Sequence, residues 1–179
     1  MNCGKTYWLM AEIIRLMQMF PGNEGVLARM RNKDLTRSTL PVLDEMIPPK
    51  MLLERNKSEG RYTLRTSGKP STLWCSDLED ANKFKSMNLG FFAVEESTDV
   101  KEATAINMLA TRLRRQLPGI KRFGLFTSNP EPGIIKDMFV ENPKSGFKFF
   151  QPDWKENPAH TVEYRETMRG LMPADLFSR

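Results

Sequence analysis

The sequence predicts an α/β fold: a mostly parallel sheet flanked by helices. Three observations predict it. Strand-like apolar runs alternate along the chain with segments of helical spacing. One run, Gly90-Phe91-Phe92-Ala93-Val94, is apolar throughout, which suits a strand buried on both faces. Pro-Gly pairs at 21–22 and 118–119 end two of the helical segments.

Taken in order, residues 5–20 read as a helix. Trp8, Leu9, Ile13, Leu16, Met17 and Phe20 recur at spacings of three and four, and Pro21-Gly22 stops the pattern. The methionines here read as core filler. Residues 25–30 read as a short buried strand. Residues 32–47 have helical spacing at Leu35, Leu40, Leu43 and Ile47, with Pro41 kinking or dividing the helix. Residues 50–55 and 60–66 read as two strands around a turn, and 71–76 as another strand. The buried strand of 90–94 follows. Residues 99–117 give the strongest helix signal, with Asp99 and Glu102 near its start and Arg112, Arg114 and Arg115 near its end, as the helix dipole favours. Residues 121–127 read as a strand, 128–133 as a tight loop, 134–140 as a short helix and 147–152 as a last strand. The stretch 154–172 begins as a loop and ends as a helix. No repeat or linker divides the chain, so one domain is expected.

The bulk properties are those of an ordinary globular chain. Its 179 residues are 40% hydrophobic and 27% charged, enough for one substantial core. The formal net charge of +5 suits a partner bearing phosphates as well as it suits solvated faces. Cys3 and Cys75 match no metal or disulfide spacing, so a reduced cytoplasmic protein is the simplest account. No apolar run approaches the roughly 18 residues of a membrane span. The N-terminus lacks the order of a signal peptide.

Four stretches carry possible chemistry. Gly4-Lys5-Thr6 matches the end of the phosphate-binding loop G-x-x-x-x-G-K-[ST], and a strong helix follows it, as that loop requires. On the triplet alone, a capped helix start is the plainer reading. Glu95-Glu96 closes the apolar run at 90–94. The first acid of such a pair supports Mg2+, and the second orients and deprotonates the attacking water. An acidic helix entry is the plain alternative. Thr127-Ser128-Asn129-Pro130 follows the strand of 121–127, where polar side chains face a ligand crevice; an Asn-Pro turn explains the same residues. Arg112, Arg114 and Arg115 suit a phosphoryl-transfer finger, a DNA backbone contact or a solvated helix end. His160, the single histidine, has no cluster of acids or thiols beside it and reads as surface or structural.

The order of these stretches resembles the ATPase domain of the large terminase subunit of tailed bacteriophages, the motor that packages viral DNA. The resemblance rests on Gly-Lys-Thr plus helix, the strand with Arg29 and Arg31, "DLTRSTLP", "KFKS", "LGFFAVEES", "RLRRQL", "LFTSNP" and "ENPAH". "FFAVEES" and "FTSNP" at their separation are its most specific part. It implies a P-loop NTPase-like sheet with ATP and Mg2+ as cofactors. It implies that Gly4, Lys5 and Thr6 bind ATP and that Thr6 and Glu95 hold the metal. It makes Glu96 the catalytic glutamate and Thr127, Ser128 and Asn129 the coupling motif, with Arg112 or Arg114 as a finger. Double-stranded DNA, a portal protein, a small terminase subunit and a homo-oligomeric ring are the implied partners, in the host bacterial cytoplasm.

The family also has a strand and a glycine-rich half-loop before Gly4 and a nuclease domain after the last residues here. The chain therefore reads as a partial domain over 1–179, from a truncated, split or late-started frame. The absent strand is expected at the centre of the sheet, beside residues 90–94. Its loss exposes strand edges, and loss of the half-loop removes N–H donors for phosphate. The alternative function is a catalytically inactive fragment that only binds DNA or other subunits, or a prophage remnant.

Overall fold

The computed structural model describes residues 4–129, 131–143, 145–152, 157 and 160–171. Helix α1 (Lys5–Met19) leads into β1 (Glu24–Arg29). The short α2 (Asn32–Asp34) runs through a π-turn (Leu35–Thr39) into α3 (Leu40–Met46). Then come β2 (Leu52–Asn56), β3 (Arg61–Leu64) and β4 (Ser71–Asp77), and a 3-10 turn (Ala81–Phe84) precedes β5 (Phe91–Val94). A 3-10 turn (Ser97–Asp99), α4 (Thr104–Thr111) and β6 (Phe123–Phe126) complete the sheet region, and α5 (Ile134–Lys136) and α6 (Val162–Leu171) follow.

The six strands form one sheet in the order β2-β3-β4-β1-β5-β6. β4, β1, β5 and β6 are parallel neighbours, while β3 is antiparallel to β2 and β4. The expectation of a mostly parallel sheet therefore holds. The gap expected beside residues 90–94 does not exist: β1 and β6 occupy both edges of β5, and the outer edge of the parallel half is β6.

Alternation along the strands sorts side chains into two cores. Leu27, Leu73, Phe91 and Ala93 face one side of the sheet, under Leu9, Met10, Ile13, Leu16 and Met17 of α1 and Leu43 of α3. Val26, Ala28, Phe92 and Val94 face the other, under Phe84, Leu89, Val100 and Ala105, Ile106 and Leu109 of α4. All four residues of β5 are buried, as its unbroken apolar sequence predicts. In α1 the buried stripe includes Met10; Trp8, expected in it, is 54% exposed.

Close strand packing depends on two glycines. Gly25 and Phe91 are register partners, and a Cβ on Gly25 would lie 2.2 Å from the Phe91 ring. Gly124 and Phe92 pair the same way, with a Cβ 2.3 Å from the ring. Each aromatic ring of β5 lies across the bare backbone of a neighbouring strand.

Two expectations fail. The helix expected over 99–117 spans only Thr104–Thr111. The backbone beyond it is taken by Leu89, whose N–H donates to Arg112 O at 2.8 Å and whose carbonyl accepts from Arg115 N at 3.1 Å. Tertiary hydrogen bonds here outweigh local helical preference. Residues 147–152 are not a strand, and nothing in the sheet pairs with them. The helix expected over 32–47 is divided ahead of Pro41, into α2, a π-turn and α3. Lacking an N–H, Pro41 sits at the start of α3, and the turn before it widens so that Leu40 N–H reaches Leu35 O, five residues back. The expected short helix at 134–140 forms as α5 and a following π-turn (Asp137–Glu141).

Candidate functional site

β1, β5 and β6 are parallel and in register, so Arg29, Glu95 and Thr127 emerge on the same edge of the sheet. Open α/β sheets bind ligands at this carboxyl edge. Backbone bonds fix the strand ends: Glu95 N–H donates to Ala28 O at 2.9 Å and Thr127 N–H to Val94 O at 3.0 Å.

The first turn of α1 points at the same edge. Gly4 caps the helix with φ of 75°, a left-handed conformation that favours glycine. A Cβ there would meet no heavy atom within 4 Å. A helix start of this kind directs backbone N–H groups and positive potential toward an anion.

The three predicted stretches meet. Thr6 Oγ1 donates to Glu95 Oε1 at 2.8 Å. Lys5 Nζ donates to Asn129 Oδ1 at 3.1 Å, and Asn129 Nδ2 donates to Glu96 Oε2 at 3.0 Å. Glu96 N–H donates to Thr127 Oγ1 at 3.2 Å, and Ser97 N–H and Oγ both donate to Thr127 O. Ser128 Oγ lies 2.9 Å from Thr98 Oγ1, which accepts from Asn129 N–H at 2.9 Å.

The two carboxylates sit in different surroundings. Glu95 is 3% exposed, and its Oε2 accepts from Thr39 Oγ1 at 3.0 Å and lies 3.2 Å from Arg29 Nη1. Glu96 is half-buried. Burial first, and the Glu95 charge second, raise its pKa above the usual carboxylate value; Lys5 and Arg29 partly oppose this. It is also the single non-glycine with positive φ among the described residues, at 49°. A left-handed glutamate at a strand end is a small store of strain of the kind found at functional positions.

Thr39 is a site residue that sequence reasoning missed. The π-turn ahead of Pro41 buries it against Glu95, which is 56 positions away. π-turns recur at functional sites, so the proline after a Thr-rich helical stretch was the available signal. Thr98 was likewise missed.

Comparison with known proteins bears on the fold. No family model matches the sequence. No curated protein matches it either. Solved structures do. The chain aligns over 100% of its length with the large terminase from a thermophilic bacteriophage, at a TM-score of 0.82 and 14% identity. The same terminase in complex with ATP-γ-S aligns at a TM-score of 0.73 and 14% identity, also over 100% of the chain. The Thermus phage P74-26 large terminase ATPase domain aligns over 98% of the chain and 82% of that domain, at a TM-score of 0.62 and 14% identity.

The fold is that of a phage large-terminase ATPase domain.

The chain spans 45% of the thermophilic-phage terminase in the first of these alignments. Within this terminase fold, Arg112 and Arg114 are not brought to the carboxylates of their own chain. Arg112 Nη1 donates to Lys85 O at 2.7 Å and Arg114 Nη2 to Met87 O at 3.3 Å. Both lie beside Leu89, before β5, whereas Glu95 follows it. Six residues of extended chain separate those ends by roughly 20 Å. A finger role within one chain is therefore corrected. His160 is buried against Tyr164, ring centroids 4.7 Å apart, which answers the structural reading. Cys3 and Pro130 lie outside the described residues.

The donor set suits Mg2+ when a phosphate ligand accompanies it. Thr6 and Glu95 place a hydroxyl and a buried carboxylate side by side, the hard oxygens that this ion prefers. Among the described residues no group of three or more His, Cys, Asp and Glu could hold a metal alone. Phosphate oxygens and water would complete the shell. No described helix is long and apolar enough to cross a membrane.

Proposed function

We propose that this chain is the ATPase part of a viral DNA-packaging motor, a P-loop domain that couples ATP hydrolysis to movement of double-stranded DNA into a procapsid. The observation that supports it above all is the continuous polar chain Lys5–Asn129–Glu96 beside Thr6–Glu95. Relatives of the same fold solved with ADP and ATP-γ-S support the choice of nucleotide.

In this reading Gly4 and the α1 start receive the phosphates, and Lys5 neutralises the β- and γ-oxygens. Thr6 and Glu95 hold Mg2+, which neutralises charge on the phosphates when bound. Glu96 orients the attacking water and takes its proton; its raised proton affinity suits a base better than an ordinary carboxylate would. Asn129 bonds both Lys5 and Glu96, so a phosphate that draws Lys5 away changes the set of contacts on Glu96. Thr127 and Ser128 carry that change into the loop after β6. A portal protein, a small terminase subunit and a ring of like subunits in the host cytoplasm are the partners and setting this reading implies.

The test is steady-state phosphate release from ATP and Mg2+. Turnover in the wild type, abolished in Glu96→Gln with nucleotide affinity retained, is the expected result. Folded wild-type protein that binds ATP and never hydrolyses it would leave the second reading, a DNA- or subunit-binding module without turnover. That reading is favoured by Arg112 and Arg114, which are tied to Lys85 and Met87 and so lie away from the carboxylates.

A further inference from the structure

The charge of this chain is unevenly placed. Residues 103–130 contain Arg112, Arg114, Arg115, Lys121 and Arg122 and no Asp or Glu. The chain has 27 Lys and Arg against 22 Asp and Glu. Without these five cations the remaining 22 match the 22 acids. The whole formal excess of +5 thus lies in the loop between α4 and β6.

The structure gathers that excess into one surface. Arg112 and Arg114 are tied to the carbonyls of Lys85 and Met87. Arg115 Nε donates to Gly22 O at 2.8 Å, and its Nη1 pairs with Glu24 Oε2 at 2.7 Å. Lys85 adds an exposed cation alongside. Around Arg115, Gln116, Pro118, Gly119 and Arg122 lies an open depression of about 540 Å3, and a second of about 490 Å3 adjoins it at Asn88 and Arg114. Each guanidinium has five N–H donors, so the carbonyl contacts leave further donors on each.

We infer that the loop of residues 112–122, with Lys85, is the surface that grips the phosphate backbone of double-stranded DNA. Cations clustered on one loop, three of them anchored by hydrogen bonds and with Glu24 as the acid in contact, match a polyanion without reading its bases. An acidic protein is the weaker match. Protein interfaces need a buried apolar anchor, and none of the exposed large apolar side chains belongs to residues 103–130. The inference draws on the motor reading only for the choice of a duplex. It also gives Arg112 and Arg114 a task at the place where the fold holds them. Because Leu89 binds this loop on one side of β5 and Glu95 leaves the other side, DNA and nucleotide would occupy opposite ends of one strand.

The experiment is fluorescence anisotropy of a labelled duplex of about 30 base pairs at roughly 50 and 200 mM salt, scored as affinity and salt slope. Arg114→Glu/Arg122→Glu should weaken binding about tenfold or more and make the salt slope shallower by roughly two. Nucleotide binding by the same variant should be unchanged, which also shows that it is folded. Lys50→Glu/Lys57→Glu, the same charge change on exposed residues far along the chain, should leave DNA affinity within about threefold. Wild-type protein that binds no duplex overturns the inference, as does undiminished binding by the loop variant. Polyglutamate competing as well as unlabelled DNA overturns the choice of phosphodiester. Loss of the motor reading has a separate signature: duplex binding that maps to the loop with no nucleotide binding at all.

Discussion

Arg29→Met should destabilise the fold by about 2–3 kcal/mol, and the structure says why. Glu95 is 3% exposed, and Arg29 is the cation in contact with it, its own side chain 16% exposed. Removing one partner of a buried ion pair costs about 3–5 kcal/mol. The figure is lowered here because Thr6 and Thr39 still donate to the carboxylate, each a charge-assisted bond. For a chain of this size, 1 kcal/mol corresponds to about 2–4 °C in Tm, so a drop of about 5–10 °C is expected. Thermal and urea unfolding of wild type, Arg29→Met, Glu95→Gln and the double variant close a cycle. The double variant should recover part of the loss, since a neutral amide needs no cation. A loss under about 0.5 kcal/mol, or single effects that simply add, would refute the claim that Arg29 holds a buried charge in place.

Other outcomes follow from the same packing and charges. Glu96→Gln should raise Tm at neutral pH and lose that gain in acid. The raised pKa means the folded state favours protonated Glu96, so its stabilising contribution is complete below the ordinary carboxylate range and disappears as pH rises through the raised value. Gly25→Ala forces a Cβ against the Phe91 ring and should cost about 1–3 kcal/mol by chemical denaturation, with Phe91→Leu in the same chain restoring part. Burial pushes the Cys75 thiol up to about 12, so in a Cys3→Ser background alkylation at pH 8 should be slow until denaturant is added.

Much of the site was legible because its residues lie at the ends of elements with strong local signals. The spacing of Leu9, Ile13, Leu16 and Met17 marks α1, and Gly4 to Thr6 open it. The unbroken run of Phe91 to Val94 marks β5, and Glu95 and Glu96 close it. Placing Asn129 with them required only that parallel strands share an edge. What stayed hidden depends on contacts distant in sequence. Thr39 reaches Glu95 through a π-turn that no periodicity announces. The over-long helix at 99–117 has good local propensity to its end, and only the pairing of Leu89 with Arg112 and Arg115 shortens it. The aromatic run Phe147-Lys148-Phe149-Phe150 reads as a strand, yet Phe150 is 84% exposed and no neighbouring strand receives the segment.

The most direct measurement is equilibrium titration of ATP-γ-S with Mg2+ into wild-type protein and Lys5→Ala, followed by calorimetry. One saturable site in the wild type, lost in the variant while its unfolding curve stays the same, is the predicted result. Equal binding by both proteins, or none by a folded wild type, would contradict a nucleotide held between the start of α1 and the carboxylates of β5.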